Sequence, residues 1–169
     1  TDIIAKELAI TSDYFDEPDT IFTAGLLHDV GRLIVAAQMP EVFEKISERT
    51  ASKHIDTVQS ETDIIGLAHT EIGAALMLKW GFPDLIWVCV KNHHRADYSG
   101  PFYNAVHLIY LANQLSQQAP PESENDAWGI LDDIPGWEKS GISVKSIFMA
   151  CNTADNRVDE VIDSLGMGG

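Results

Sequence analysis

The chain has 169 residues with 11 Lys and Arg against 26 Asp and Glu, a net charge of −15, and 45% of its residues are apolar. That length and balance suit one globular domain with a full hydrophobic core, while the acidity argues against nucleic acid or an anionic membrane as partner, since both would be repelled. A membrane span of ~20 apolar residues is not expected, the N-terminus lacks the pattern of a secretion signal, and Cys89 and Cys151 form no CxxC pair, so a cytoplasmic protein with free thiols is expected.

From the N-terminus, Ile3, Ile4, Leu8 and Ala9 give a fragment of amphipathic helix. Asp16-Glu17-Pro18 suits a helix start, after which Ile21, Ala24, Leu27, His28 and Gly31 share a face. Val30 to Ala37 stays apolar until Pro40, where a short helix with Val42, Phe43 and Ile46 follows. Lys53 to Gln59 reads as a polar connector. Ser60 and Asp63 fit a capping box, opening one helix along Ile65, Ile72, Leu76 and Trp80 that Gly81 ends.

Pro83-Asp84 begins a helix carrying Ile86, Cys89, Val90 and His93, and Tyr98 to Pro101 is a turn. Ala105, Leu108, Ile109, Ala112 and Leu115 make a further buried stripe. Residues 119–127 form an acidic, proline-bearing loop. Residues 128–169 form a helical extension with Ile147, Cys151, Ala154, Val158, Val161 and Leu165 at helical spacing and glycines at its end; burial is expected for Trp128 and Trp137. No run of strands stands out. The pattern predicts an all-α fold.

His28-Asp29, His69 and His93-His94 lie on successive apolar faces, so these helices turn histidines toward the side where they pack. His54 and His107 read as surface or boundary residues. Buried imidazoles need partners, because an unsatisfied polar group costs ~1–3 kcal/mol in a core. Hydrogen bonds within the core would supply them; so would a divalent metal, and neutral imidazole with carboxylate suits Zn, Fe, Mn or Ni. A metal of that kind can acidify water and clamp a phosphate oxygen.

Ile21 to Leu33, centred on His28-Asp29-Val30-Gly31-Arg32, resembles the motif of the HD superfamily of metal-dependent phosphohydrolases. Glu61, Gly66-Leu67-Ala68-His69, Ile72 to Leu76, Trp80-Gly81-Phe82-Pro83 and His93-His94 follow in the order of the HD-related output domain, HDOD, of bacterial signalling proteins. The resemblance runs from the first helix through Leu115, with residues 1–118 as its core. It implies an HD-domain-like helical bundle and a role in signal transduction.

Departures from the parent enzymes matter to the chemistry. No histidine precedes His28, Asn113 stands where they carry aspartate, and Tyr98 to Pro101 replaces the Gly-Tyr-Pro signature of the related cyclic-di-GMP phosphodiesterases. Losing a carboxylate removes charge and a base from a metal shell. The expectation is a regulatory module without turnover, with a vestigial metal site of His28, Asp29, His69, His93 and His94. It would act through signalling proteins, fused signalling domains or a bound ligand, and a homo-oligomer is compatible with it. A metal-dependent phosphohydrolase acting on a nucleotide or cyclic dinucleotide is the alternative, and a purely structural helical scaffold is the third. Glu61 is expected to favour a helix dipole. Gly25, Gly31 and Gly73 are expected to allow close helix approach. Trp80 and Pro83 are expected to pack a corner, and Arg32 to be a solvated helix-end cation or a phosphate contact.

Overall fold

The computed structural model describes residues 1–12, 17–53 and 55–164. The expectations for Asp16, His54, Leu165 and the closing glycines, and for the Val161 side chain, lie outside the described residues. Within these bounds all regular structure is helical. Helix α1 (Asp2–Thr11) buries Ala5, Leu8 and Ala9. Helix α2 (Pro18–Leu27) has its proline in the first turn, where the missing N–H deprives no bond. Helix α3 (Val30–Gln38) begins after a break at His28 and Asp29.

Contrary to the sequence reading, the stretch Pro18–Gln38 is long and apolar enough, by length and composition, to cross a membrane. The break at His28-Asp29 divides it between α2 and α3, and it lends Ile21, Ala24 and Val35 to the core.

Helix α4 (Pro40–Lys53) precedes the main departure from expectation. The sequence pattern predicts one capped helix over residues 60–80, but these residues belong to two, α5 (Thr57–Ile65) and α6 (His69–Lys79). Gly66 takes φ 86°, the left-handed conformation that ends a helix, so the chain turns there. The N-cap of α5 is Asp56, whose side chain accepts from the Gln59 N–H; Ser60 lies within the helix and is buried. His69 consequently opens α6 rather than riding mid-stripe. Trp80, expected to be buried, is 60% exposed just past the end of α6, and Gly81 follows with φ 73°.

Helix α7 (Asp84–Asn92) buries Ile86, Cys89 and Val90 as its spacing predicts. Helix α8 (Tyr103–Leu115) is the centre of the molecule, buried on nearly every side and packed against α1, α2 and α7. Burial of Leu108, Ile109 and Leu111 contributes roughly 1.5–3 kcal/mol each. His107, expected near the surface, is 1% exposed and donates from Nε2 to the Tyr98 carbonyl at 2.9 Å. The acidic loop ends at Ser123, short of residue 127. That serine accepts from the Asp126 N–H and caps helix α9 (Glu124–Asp132), and Glu124 and Asp126 suit the positive end of the helix dipole.

A 3₁₀ turn (Trp137–Ser140) sits on α8, and α10 (Val144–Ser164) lies on α1 and α9. Trp128, expected to be buried, is half exposed and meets Trp137 edge to face. In α10 Ile147, Ala150, Cys151 and Ala154 are buried, whereas Val158 is exposed. Arg157 pairs with Glu7 of α1 at 2.8 Å, tying the two ends of the described chain together.

Candidate metal centre

Four helix ends converge. His28 and Asp29 form the corner between α2 and α3, His69 opens α6, and His93 and His94 follow the last residue of α7. Glycines let α3 and α6 approach closely enough for this. A Cβ on Gly31 would fall 2.0 Å from the His69 carbonyl oxygen, and one on Gly73 would fall 2.9 Å from Val90 Cγ1 and 3.2 Å from Val30 Cγ1. Gly25 lies equally close to Asp2 of α1, where a Cβ would sit 2.8 Å from its Cα.

Fixed hydrogen bonds set the tautomers of the rings. His69 Nδ1–H donates to Glu61 Oε2 at 2.6 Å, His93 Nδ1–H to the Val90 carbonyl at 2.8 Å, and His28 Nδ1–H to the Gly25 carbonyl at 2.6 Å. In the neutral ring each bond uses the only proton and leaves Nε2 with a lone pair. Those lone pairs face one another. His69 Nε2 lies 3.4 Å from His93 Nε2 and 3.2 Å from His94 Nε2, and Asp29 Oδ1 lies 3.2 Å and 3.4 Å from the Nε2 atoms of His69 and His93. The lone pairs of His69 and His93 and the Asp29 carboxylate are thus crowded together with no proton between them, and His94 Nε2 stands beside them at hydrogen-bond distance from His69.

Asp29 Oδ1 shows the same want. It is buried and has no hydrogen-bond partner among the described residues. One ligand atom from each of Asp29, His69, His93 and His94 lies within 4.8 Å of all the others, which suits a single cation. The donor set fits a divalent transition metal, with Asp29 Oδ1 and the three imidazoles as its holders. His28 stands beside this set. Its Nε2 is 3.7 Å from Asp29 Oδ2, and its ring meets His93 edge to face at 4.9 Å.

Charge in the cluster follows from burial and neighbours. Burial opposes ionisation of Asp29, but the His69 and His93 rings outweigh it and hold the carboxyl well below the usual range. Burial also works to lower His69, and the carboxylates of Asp29 and Glu61 beside it overcome this and raise it. Burial lowers His28 against the pull of Asp29, and burial with the neighbouring His93 and His69 rings pushes His94 down to about 3.

Sequence reasoning does not place Glu61 in this cluster. It is 3% exposed, and its Oε2 accepts both the His69 N–H at 2.8 Å and the His69 ring proton. It is therefore no free helix-start carboxylate; it orients an imidazole, as carboxylates do around metal-binding histidines. The signal that could have revealed it was Gly66, whose turn folds Glu61 back onto His69. Arg32 pairs with Asp29 Oδ2 at 3.3 Å. Asn113 is buried in α8, and among the described residues no hydrogen bond joins its side chain to the histidines.

An all-α domain whose histidines and aspartate meet at the corner of an HD pair is a domain of HD type. Within that class the HDOD domain family matches residues 1–96, and the chain belongs to it. An uncharacterised protein of Treponema pallidum (strain Nichols) is 29% identical over 93 residues, 54% of this chain and 18% of that protein.

Among solved structures, one from Shewanella amazonensis SB2B, provisionally described as a phosphohydrolase, is similar with TM-score 0.75 and 21% identity over 90% of this chain and 55% of that one. An HDOD domain protein of unknown function from Geobacter sulfurreducens gives TM-score 0.68 and 22% identity over 95% and 57%. A provisionally described signal transduction protein from Marinobacter aquaeolei VT8 gives 0.72 and 23% over 98% and 38%. These structural likenesses concern the fold. The chain spans less than two thirds of each of these proteins.

Proposed function

We propose that this chain is a regulatory module of bacterial signal transduction that binds a divalent transition metal at an HD-type centre without turning over a substrate. The carrying observation is the state of the carboxylates. Asp29 faces the cluster and pairs with Arg32, Glu61 is engaged by His69, and position 113 offers an amide. No further carboxylate at the cluster is left, among the described residues, to hold a second cation or to act as a base. A bound metal would supply Lewis acidity toward water or phosphate. The protein residues hold and orient: Glu61 and the Val90 carbonyl fix two rings, and Asp29 supplies the negative charge.

Fe, Mn, Zn and Ni all suit the donor set. The module would act in the cytoplasm through partner signalling proteins, through fused signalling domains or as a homo-oligomer. Exposed Leu78 and Trp80 near the end of α6 support such docking. The competing reading, a phosphohydrolase of a nucleotide or cyclic dinucleotide, draws on the same ligand atoms and on the likeness to the Shewanella protein.

Two measurements decide. Elemental analysis of the purified protein should find a transition metal near one per chain, lost in His69→Ala. Nucleotides and cyclic dinucleotides incubated with added Mn or Fe should remain intact. Turnover that His28→Ala abolishes would overturn the regulatory reading in favour of the enzyme.

A further inference from the structure

A separate cavity of about 240 Å³ lies between α3, α4 and α5. Its wall combines apolar Phe43, Ile46 and Ala51 with charged and hydroxyl-bearing groups, Arg32, Thr50 and Glu61 among them. The polar groups are unevenly satisfied. Thr50 Oγ1 is buried with no hydrogen-bond partner among the described residues. A buried hydroxyl in that state costs about 1–3 kcal/mol unless something else completes it. Glu61, almost wholly buried, commits Oε2 to His69, and no described donor reaches its Oε1. Arg32 uses one nitrogen on Asp29, and a guanidinium has five N–H donors in all.

An acidic and a basic side chain, an unmet hydroxyl and an apolar floor in one small space define a ligand by complementarity. An ammonium suits Glu61, a carboxylate suits Arg32, and an apolar body suits Phe43 and Ile46. The volume lies below the ~300–1,000 Å³ of pockets for drug-sized molecules, which limits the occupant to about the size of a free amino acid. We infer that this cavity is a binding site for a small zwitterion, an apolar α-amino acid or a molecule of the same charge pattern. It is a cavity apart from the histidine cluster, linked to it through Glu61 and through the Arg32–Asp29 pair, and it stands whether or not the cluster holds a metal.

The test follows the Ala51 and Thr57 amides of the full chain by two-dimensional NMR while L-leucine or L-phenylalanine is added. Metal content is measured on the same samples, so failure of the metal reading is seen separately. Saturable shifts are expected, with isoamylamine and isocaproate, each carrying one of leucine's two charges, at least about tenfold weaker. Thr50→Val leaves the shape of the wall unchanged and removes the unmet hydroxyl. It should keep or raise the melting temperature and lose about tenfold in affinity, and Arg32→Gln should lose at least as much. Ala51 is exposed at the cavity's edge, so Ala51→Phe should fold normally and abolish the shifts. No saturable shift up to about 10 mM amino acid, corresponding to binding weaker than ~3 kcal/mol, overturns the inference. So does equal binding of the single-charge analogues, or binding that survives both Arg32→Gln and Ala51→Phe.

Discussion

Replacing Gly31 by alanine tests the packing that assembles the candidate metal centre. On an unobstructed helix the change should stabilise, since alanine exceeds glycine in helix propensity by about 1 kcal/mol. Here the new methyl would meet the His69 carbonyl oxygen at 2.0 Å, its carbonyl carbon at 2.8 Å and the Gly73 nitrogen at 3.0 Å. The first distance falls 1.4 Å short of the 3.4 Å at which ordinary contact begins. All three atoms are backbone, so no rotamer change relieves the overlap, and α3 must move away from α6.

Overpacking costs ~1–3 kcal/mol where side chains can adjust, and a backbone clash belongs at the upper end. Against the propensity gain, the net loss for Gly31→Ala is about 2 kcal/mol, a fall in melting temperature of roughly 4–8 °C for a chain of this size. Gly129→Ala in α9 is the control, because a Cβ there meets nothing within 4 Å. It should gain about 0.5–1 kcal/mol. Thermal denaturation of both variants, with metal affinity beside it, reads the difference. The displaced His69 should also weaken metal binding in Gly31→Ala alone. If Gly31→Ala melted at or above the parent temperature, the close contact of α3 with α6 would not exist as described.

Glu61→Gln preserves shape but removes the charge that holds the His69 ring. It should lower metal affinity about 10–100-fold in a competition titration while the protein remains folded; unchanged affinity would deny Glu61 its orienting role. In metal-free protein, His94 is depressed by burial to about 3, so it stays neutral when folded but charges below ~6.5 when unfolded. Its contribution is therefore present above pH ~6.5 and is lost as the pH falls toward its folded value. Raised His69 acts in the opposite sense, contributing below ~6.5 and losing that contribution as pH rises through its folded value. Denaturation between about pH 7 and pH 4 should show a shallower acid limb in His94→Gln, and an identical limb would refute burial as the cause. Leu111→Ala, at a fully buried position of α8, should cost about 2–5 kcal/mol by chemical denaturation, and a loss under ~1 kcal/mol would contradict the central place of that helix.

Helix periodicity carried most of the fold. The stripes through Leu8, Ala9, Ile86, Cys89, Leu108 and Ile147 are buried as their spacing predicts, because amphipathic registers leave a repeating mark in the sequence. The breaks were harder to read. Gly66 lies inside a pattern whose apolar residues continue in phase from Ile65 to Ile72 and Leu76, so hydrophobicity alone gave no cause to end the helix. Missing that turn concealed Glu61, eight positions before His69 in sequence but bonded to it in space. His107 failed for another reason. Helix α8 is surrounded by neighbours, and a helix covered on all sides has no polar face to which an off-stripe histidine can be assigned. At the site, the sequence indicated residues that converge, yet it could not separate His28 from Asp29, His69, His93 and His94, since that distinction rests on ring placement rather than spacing.

The helix ends that supply the cluster also set its charge. His28 follows the C-terminus of α2, and His93 and His94 follow that of α7, so two negative helix ends point toward the place where a cation would sit. Asp29 caps the N-terminus of α3, where a carboxylate is electrostatically favoured, and it stays charged at that corner. Helix α6 likewise brings a positive N-terminus, carrying His69 into the same space. That end would repel a cation if left bare. Glu61 counters it directly, since its Oε2 accepts the His69 N–H while also taking the ring proton. A buried carboxylate thus offsets the positive end of α6, as Asp29 does for that of α3, and holds the His69 ring with Nε2 turned toward the cluster. This dual duty explains why Glu61 is buried, and why the amide introduced by Glu61→Gln would serve the geometry while failing the charge.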